Sequence, residues 1–143
     1  MIDSILLVDD EDLFHLVFED ACSLLDISLS LQCISSSDEA AELFRKIMNG
    51  NAEKPECVFV DLNIVGSSFD GIELIRKINF EYGDGVVIGI ISSSNDSIEQ
   101  AKAVKAGAQF WIIKSDNIEP RLEEFRNDYP GYVNRTAPFR IYK

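Results

Sequence analysis

The chain has 143 residues, of which 46% are hydrophobic and 27% charged, and a formal net charge of −12. That length suits one domain with a real core. The acidic balance argues against nucleic acid as a direct partner, since phosphate binding needs clustered Lys and Arg. No apolar stretch approaches the ~20 residues of a membrane span, and Met1-Ile2-Asp3-Ser4 enters a short apolar run without a basic leader, so no signal peptide is expected. Cys22, Cys33 and Cys57 lack a C-x-x-C spacing and read as reduced, buried thiols, which fits a cytoplasmic setting. His15, the one histidine, has no metal-ligand spacing to any of them.

Ile5-Leu6-Leu7-Val8 reads as a strand buried on both faces and stops at Asp9-Asp10-Glu11-Asp12. A helix is expected from about Asp12, with Leu13, Leu16, Val17, Ala21, Leu24 and Leu25 at helical spacing. Ile27 to Cys33 alternates with period two, a second strand. Ser36 with Glu39 forms a capping box before Ala40, Leu43, Phe44 and Ile47, and Asn49-Gly50-Asn51 closes that helix. Val58-Phe59-Val60-Asp61 is a buried strand ending on a carboxylate. After the loop 65–69, Asp70 with Glu73 opens a helix carrying Ile72, Leu74, Ile75 and Ile78. Gly83-Asp84-Gly85 reads as a turn. Val86 to Ile91 is a fourth strand, ending in Ser92-Ser93-Ser94. Asp96 and Glu99 cap a short helix that closes at Ala106-Gly107-Ala108. Phe110 to Ile113 is the fifth strand, ending at Lys114. A last helix is expected from Asp116 and Asn117 through Leu122 and Phe125, ending near Tyr129-Pro130-Gly131. Residues 131–143 hold Arg135, Arg140 and Lys143 without an acid, so they read as a basic tail on a domain spanning 1–130, either flexible or folded back onto the acidic body.

Strands alternating with helices predict an α/β fold with a doubly wound, five-stranded parallel sheet, and the order 2-1-3-4-5 is one of the two common for such sheets. In that order the ends of strands one, three, four and five meet at one edge, at the topological switch point where such folds bind ligands. The side chains delivered there are Asp9, Asp10, Asp61, Ser92 and Lys114. Packed carboxylates repel and are costly to desolvate. A hard divalent cation offsets both costs, and Mg²⁺ suits carboxylate, carbonyl and water ligands. A cation, an ammonium and a hydroxyl around one carboxylate are also what a phosphoryl group attached to that carboxylate requires.

These residues resemble the response-regulator receiver domain over about residues 4–128. The resemblance rests on Leu6-Leu7-Val8-Asp9-Asp10, Phe59-Val60-Asp61-Leu62-Asn63 with Asp70-Gly71, Ile90-Ile91-Ser92-Ser93, and Ala106-Gly107-Ala108 leading to Ile112-Ile113-Lys114. It implies a flavodoxin-like receiver fold that is a phosphoacceptor switch and not an enzyme. Asp61 would take a phosphoryl group from a phosphohistidine, as 4-aspartylphosphate. Mg²⁺ would be held by the side chains of Asp10 and Asp61, the carbonyl of Asn63, and Asp9 through water. Ser92 and Lys114 would hold the phosphoryl oxygens. Trp111 occupies the family's aromatic switch position, acting with Ser92, and Asn63 and Ser94 occupy positions that tune hydrolysis of the aspartyl phosphate. The implied partners are a histidine kinase or phosphotransfer protein and a downstream protein target, with no membrane and no nucleic acid, in a monomer or weak dimer.

The chain departs from the family pattern at four points. Val65 replaces the usual Pro, the loop from Asp61 to Asp70 is about two residues longer, Ser115 replaces the Pro after the lysine, and Trp111 is bulkier than the usual aromatic. Ser115 predicts an ordinary trans turn after Lys114. The alternative is a small phosphohydrolase with an aspartyl nucleophile. Asn63 stands where such enzymes carry their general acid, and an amide cannot supply a carboxyl proton. A flavin carrier of the same topology would want a Ser-, Thr- and Gly-rich loop where this chain has four acids.

Overall fold

The computed structural model describes residues 2–81 and 85–143. Its elements are β1 (Ile2–Val8), α1 (Asp12–Leu25), β2 (Ser28–Ile34), α2 (Ser37–Met48), β3 (Cys57–Asp61), α3 (Gly71–Glu81), β4 (Val87–Ser92), α4 (Ser97–Ala106), β5 (Phe110–Ile113), α5 (Glu119–Val133) and β6 (Arg140–Tyr142). The sheet is parallel throughout, in the order β2-β1-β3-β4-β5-β6. The predicted order therefore holds for five strands, and a sixth extends it. Of the expected Gly83-Asp84-Gly85 turn, residues 83 and 84 lie outside the described residues.

The central strands explain the order. Every residue of β3 and β4 is buried, as expected where helices cover both faces. On one face α2, α3 and α4 cover Val58, Val60, Ile88, Ile90 and Trp111. On the other, α1 and α5 cover Phe59, Phe110 and Ile112. The second face is aromatic: the Phe59 ring lies 5.2 Å from both Phe110 and Phe125, and Phe110 lies 4.6 Å from Phe125. Gly89 makes room for this stack, because a Cβ there would sit 2.6 Å from the Phe110 ring.

Three helices start as their sequences predict. Ser36 Oγ accepts the Glu39 N–H at 3.1 Å. Asp70 and Glu73 complete a reciprocal capping box, with bonds of 2.8 and 3.0 Å. Asp96 Oδ1 accepts from Ile98 and Glu99. The apolar stripe of α1 differs from the expected one. Leu13 and Leu24 are 77% and 75% exposed and Leu16 is exposed too; of the expected stripe Ala21 is buried and Val17 and Leu25 pack against the core, while Phe14, Phe18 and Cys22 supply the rest of the buried face. Both stripes have helical spacing, and the sheet takes the one carrying two Phe rings.

In the C-terminal segment the structure takes the folded-back alternative, Arg140 pairing with Glu124 and Asp128, and corrects the helix bounds. Helix α5 starts at Glu119, two or three residues later than predicted, and continues through Pro130 to Val133. Tyr132 is buried and its ring lies 5.7 Å from Phe125, so ending the helix at Pro130 would pull an aromatic out of the core. The chain then turns back, and β6 pairs in parallel with β5, Trp111 opposite Ile141. Trp111 is thus interior to the sheet, not at its edge.

Candidate functional site

The carboxyl edge gathers the expected strand-end residues around one ammonium group. Lys114 Nζ lies 2.7 Å from Asp9 Oδ2, 3.0 Å from Glu11 Oε1 and 3.4 Å from Asp61 Oδ2. It also sits 4.6 Å from the centre of the Phe14 ring, a cation–π contact from the first turn of α1. Ser115 follows without a proline, and no peptide bond among the described residues is cis. Lys114 is therefore held by its charged and aromatic neighbours and by its own N–H, which donates to the Ser92 carbonyl at 2.8 Å.

Each acid has a local reason for its place. Asp61 ends β3 and is buried. Its backbone is clamped by α3: Gly71 N–H donates to the Leu62 carbonyl at 3.0 Å, and a Cβ on Gly71 would lie 2.1 Å from the Asp61 carbonyl oxygen. Asp9 is wholly buried. Its Oδ1 accepts the Glu11 N–H at 2.8 Å, a turn that sends the chain into α1. His15 Nε2 lies 2.5 Å from the Asp9 carbonyl and ties the helix back to the strand.

The carboxylates of Asp9, Glu11 and Asp61 lie within 4.8 Å of one another. Asp10 is outside that triad, its Oδ2 accepting the Val65 N–H at 3.3 Å, and its charge still adds to the rise in the Asp61 pKa. Asn63 is exposed two residues beyond Asp61. Ser92 is buried at the end of β4, its Oγ accepting the Ser94 N–H at 3.1 Å. Trp111 is wholly buried and donates its indole N–H to the Ser94 carbonyl at 2.9 Å, so one short loop links Ser92 to the aromatic.

Charge at this edge is unbalanced, with three carboxylates around one ammonium. Burial pushes the Asp61 carboxyl up to about 7; Asp9 adds to the rise and Lys114 opposes it. For Lys114, burial acts to lower the pKa, but the pull of Asp9, Asp61 and Glu11 outweighs it and holds the ammonium above its ordinary value. Asp9 Oδ2 is buried and makes no well-formed hydrogen bond, its partner among the described residues being the Lys114 ammonium in an ion pair. Clustered oxygen donors and surplus negative charge together fit a hard divalent cation.

In the sequence, Glu11 reads only as part of an acidic run. Residues 9–11 lie beyond the end of β1, in the turn that the Asp9 carboxylate makes with the Glu11 N–H, so no strand periodicity singles Glu11 out. Phe14 and Gly71 also belong to the site, and nothing local in the sequence marks the cation–π contact or the close approach to Asp61.

An open parallel sheet with acids and a lysine at its carboxyl edge, at the switch point, defines a receiver-type α/β domain. A family model described as the response regulator receiver domain matches residues 5–123, and the chain belongs to that family. Among solved structures, a two-component response regulator from Cytophaga hutchinsonii is 23% identical, covering 93% of this chain and 98% of its own, with a TM-score of 0.77. The phosphorylated cyanobacterial phytochrome response regulator RcpA is 19% identical, with 96% and 97% coverage and a TM-score of 0.73. The Mn²⁺-bound form of response regulator Rcp1 is 17% identical, with 92% and 94% coverage and a TM-score of 0.68. A comparison with curated proteins finds no match. Among the described residues no helix is long and apolar enough to cross a membrane.

Proposed function

We propose that this receiver domain accepts a phosphoryl group on Asp61 from a phosphohistidine and thereby switches a protein-binding surface. The observation that carries the reading is the buried Asp61 carboxylate, 3.4 Å from Lys114 Nζ at the carboxyl edge of the sheet. An Asp61 carboxylate oxygen attacks phosphorus, the bond from phosphorus to the partner's imidazole nitrogen breaks, and the electron pair returns to the ring. Lys114 exchanges part of its contact with the carboxylates for a phosphoryl oxygen, and Ser92 Oγ donates to another. Asp61, Asp9, Asp10 and the Asn63 carbonyl are the candidate Mg²⁺ ligands, with Glu11 an added one. The ion, when bound, neutralises carboxylate and phosphoryl charge together. That the structural relative Rcp1 has a Mn²⁺-bound form supports a divalent ion as a ligand of this chain too.

The switch then runs through Ser92. Drawing its hydroxyl toward a phosphoryl oxygen moves the loop whose Ser94 carbonyl holds the Trp111 indole. That motion shifts an existing equilibrium at the surface around α4, β5 and α5, which here includes β6. The partners implied are a histidine kinase or phosphotransfer protein upstream and a protein target downstream.

Intact-mass measurement after incubation with acetyl phosphate or phosphoramidate and Mg²⁺ tests the acceptor. One added phosphoryl group is expected on the wild-type chain and none on Asp61→Asn. Equal labelling of the two would sink the assignment.

A further inference from the structure

Asp10 is the acid of the run Asp9-Asp10-Glu11 that lies outside the carboxylate triad. The carboxylates of Asp9, Glu11 and Asp61 cluster within 4.8 Å, whereas Asp10 Oδ2 accepts the Val65 N–H at 3.3 Å, in the loop between β3 and α3. Val65 is placed by a reverse turn, in which the Ser67 N–H donates to the Ile64 carbonyl at 3.4 Å and Gly66 takes a φ of 78°. A left-handed third residue is the mark of a type II turn, with Val65 as its second residue.

The loop is also anchored away from the acids. Ser68 N–H donates to Asp38 Oδ2 at 3.0 Å, Ser37 N–H to Ser67 Oγ at 3.0 Å, and the buried Ser37 hydroxyl to the Phe69 carbonyl at 2.7 Å. Three bonds thus fix the loop to the first turn of α2. These bonds lower the entropy that the loop would otherwise lose in meeting Asp10.

We propose that the Val65 N–H acts as a gate on the acidic edge: it occupies Asp10 Oδ2, and a divalent cation must compete with it for the Asp10 carboxylate. The inference rests on the divalent-cation reading of that edge given above. Because the bond is long and solvent-exposed, the competition changes affinity by a few-fold, not by orders of magnitude. By linkage, whatever displaces the loop or the first turn of α2 changes cation affinity, and cation binding loosens the loop in return.

Substitution at position 65 separates the donor from the side chain. Val65→Pro removes the N–H at a turn position where proline is favoured, and Val65→Ala keeps it. Mg²⁺ affinity is measured by titration calorimetry on the whole chain, with a thermal melt to establish folding. In the wild type, the Val65 amide resonance is followed through the same titration. Val65→Pro is expected to bind Mg²⁺ about three- to tenfold tighter, and Val65→Ala to match the wild type. The Val65 amide is expected to shift with the Mg²⁺ saturation curve. Equal affinity in a folded Val65→Pro, or an amide that does not move at saturation, overturns the gate. If Val65→Pro does not fold, Asp38→Ala carries the same test by cutting an anchor: tighter binding supports the gate and unchanged binding overturns it. Absence of Mg²⁺ binding in every variant, wild type included, overturns the cation reading itself.

Discussion

Two regions of this domain place surplus carboxylate around a single cation, and burial separates their behaviour. At the carboxyl edge Asp9, Glu11 and Asp61 share Lys114, and Asp9 and Asp61 are buried. At the C-terminal strand Glu124 and Asp128 share Arg140, all three partly open to water. There Tyr142 donates to Asp128 at 2.6 Å and lies 2.7 Å from the Tyr132 hydroxyl, and its ring joins the aromatic core. Water screens the surplus charge at the C-terminal strand, where apolar burial supplies the stability. At the edge burial keeps water from Asp9 and Asp61, so the imbalance appears as the raised Asp61 pKa and as demand for a cation.

The largest expected effect falls on the C-terminal strand. Tyr142→Ala removes a buried ring and two hydroxyl contacts, and should cost about 3–5 kcal/mol in urea unfolding. A loss under about 1 kcal/mol would mean that β6 contributes nothing to the core. Next comes Asp61→Asn in chelator. The folded pKa of Asp61 lies above its unfolded value of 3.8, so its contribution is fully present below that value and is lost as pH rises toward about 7. Asp61→Asn should therefore match the wild type near pH 4 and exceed its stability by about 2–4 kcal/mol at pH 8. A pH-independent difference between the two would place the destabilisation elsewhere. The smallest effect belongs to Arg140→Ala, about 0.5–1 kcal/mol and shrinking in salt, because its partners are exposed. A loss several times larger would erase the contrast between the two regions.

How much of this is legible in the sequence depends on how local each signal is. Asp61, Ser92 and Lys114 each end an apolar run, and strand ends at a switch point converge by topology. The orientation of Asp10 is not legible, because the Val65 N–H that fixes it lies 55 residues away along the chain. The α1 stripe is ambiguous, since Leu13 with Leu24 and Phe14 with Phe18 both satisfy helical periodicity and only packing chooses. Proline at 130 is a sound stop signal, overridden because Tyr132 must reach the core. A three-residue strand such as β6 is too short for periodicity to reveal.

That strand also changes what the sheet shows to other chains. Without it the sheet would end on Phe110-Trp111-Ile112-Ile113, an uncharged row of open backbone groups and a template for edge-to-edge pairing. With it, the exposed rim shrinks to Arg140-Ile141-Tyr142, a short strand headed by a charge. Short length and an edge charge are the features by which soluble proteins blunt such rims. The C-terminal strand therefore guards the apolar β5 against aggregation as well as completing the fold.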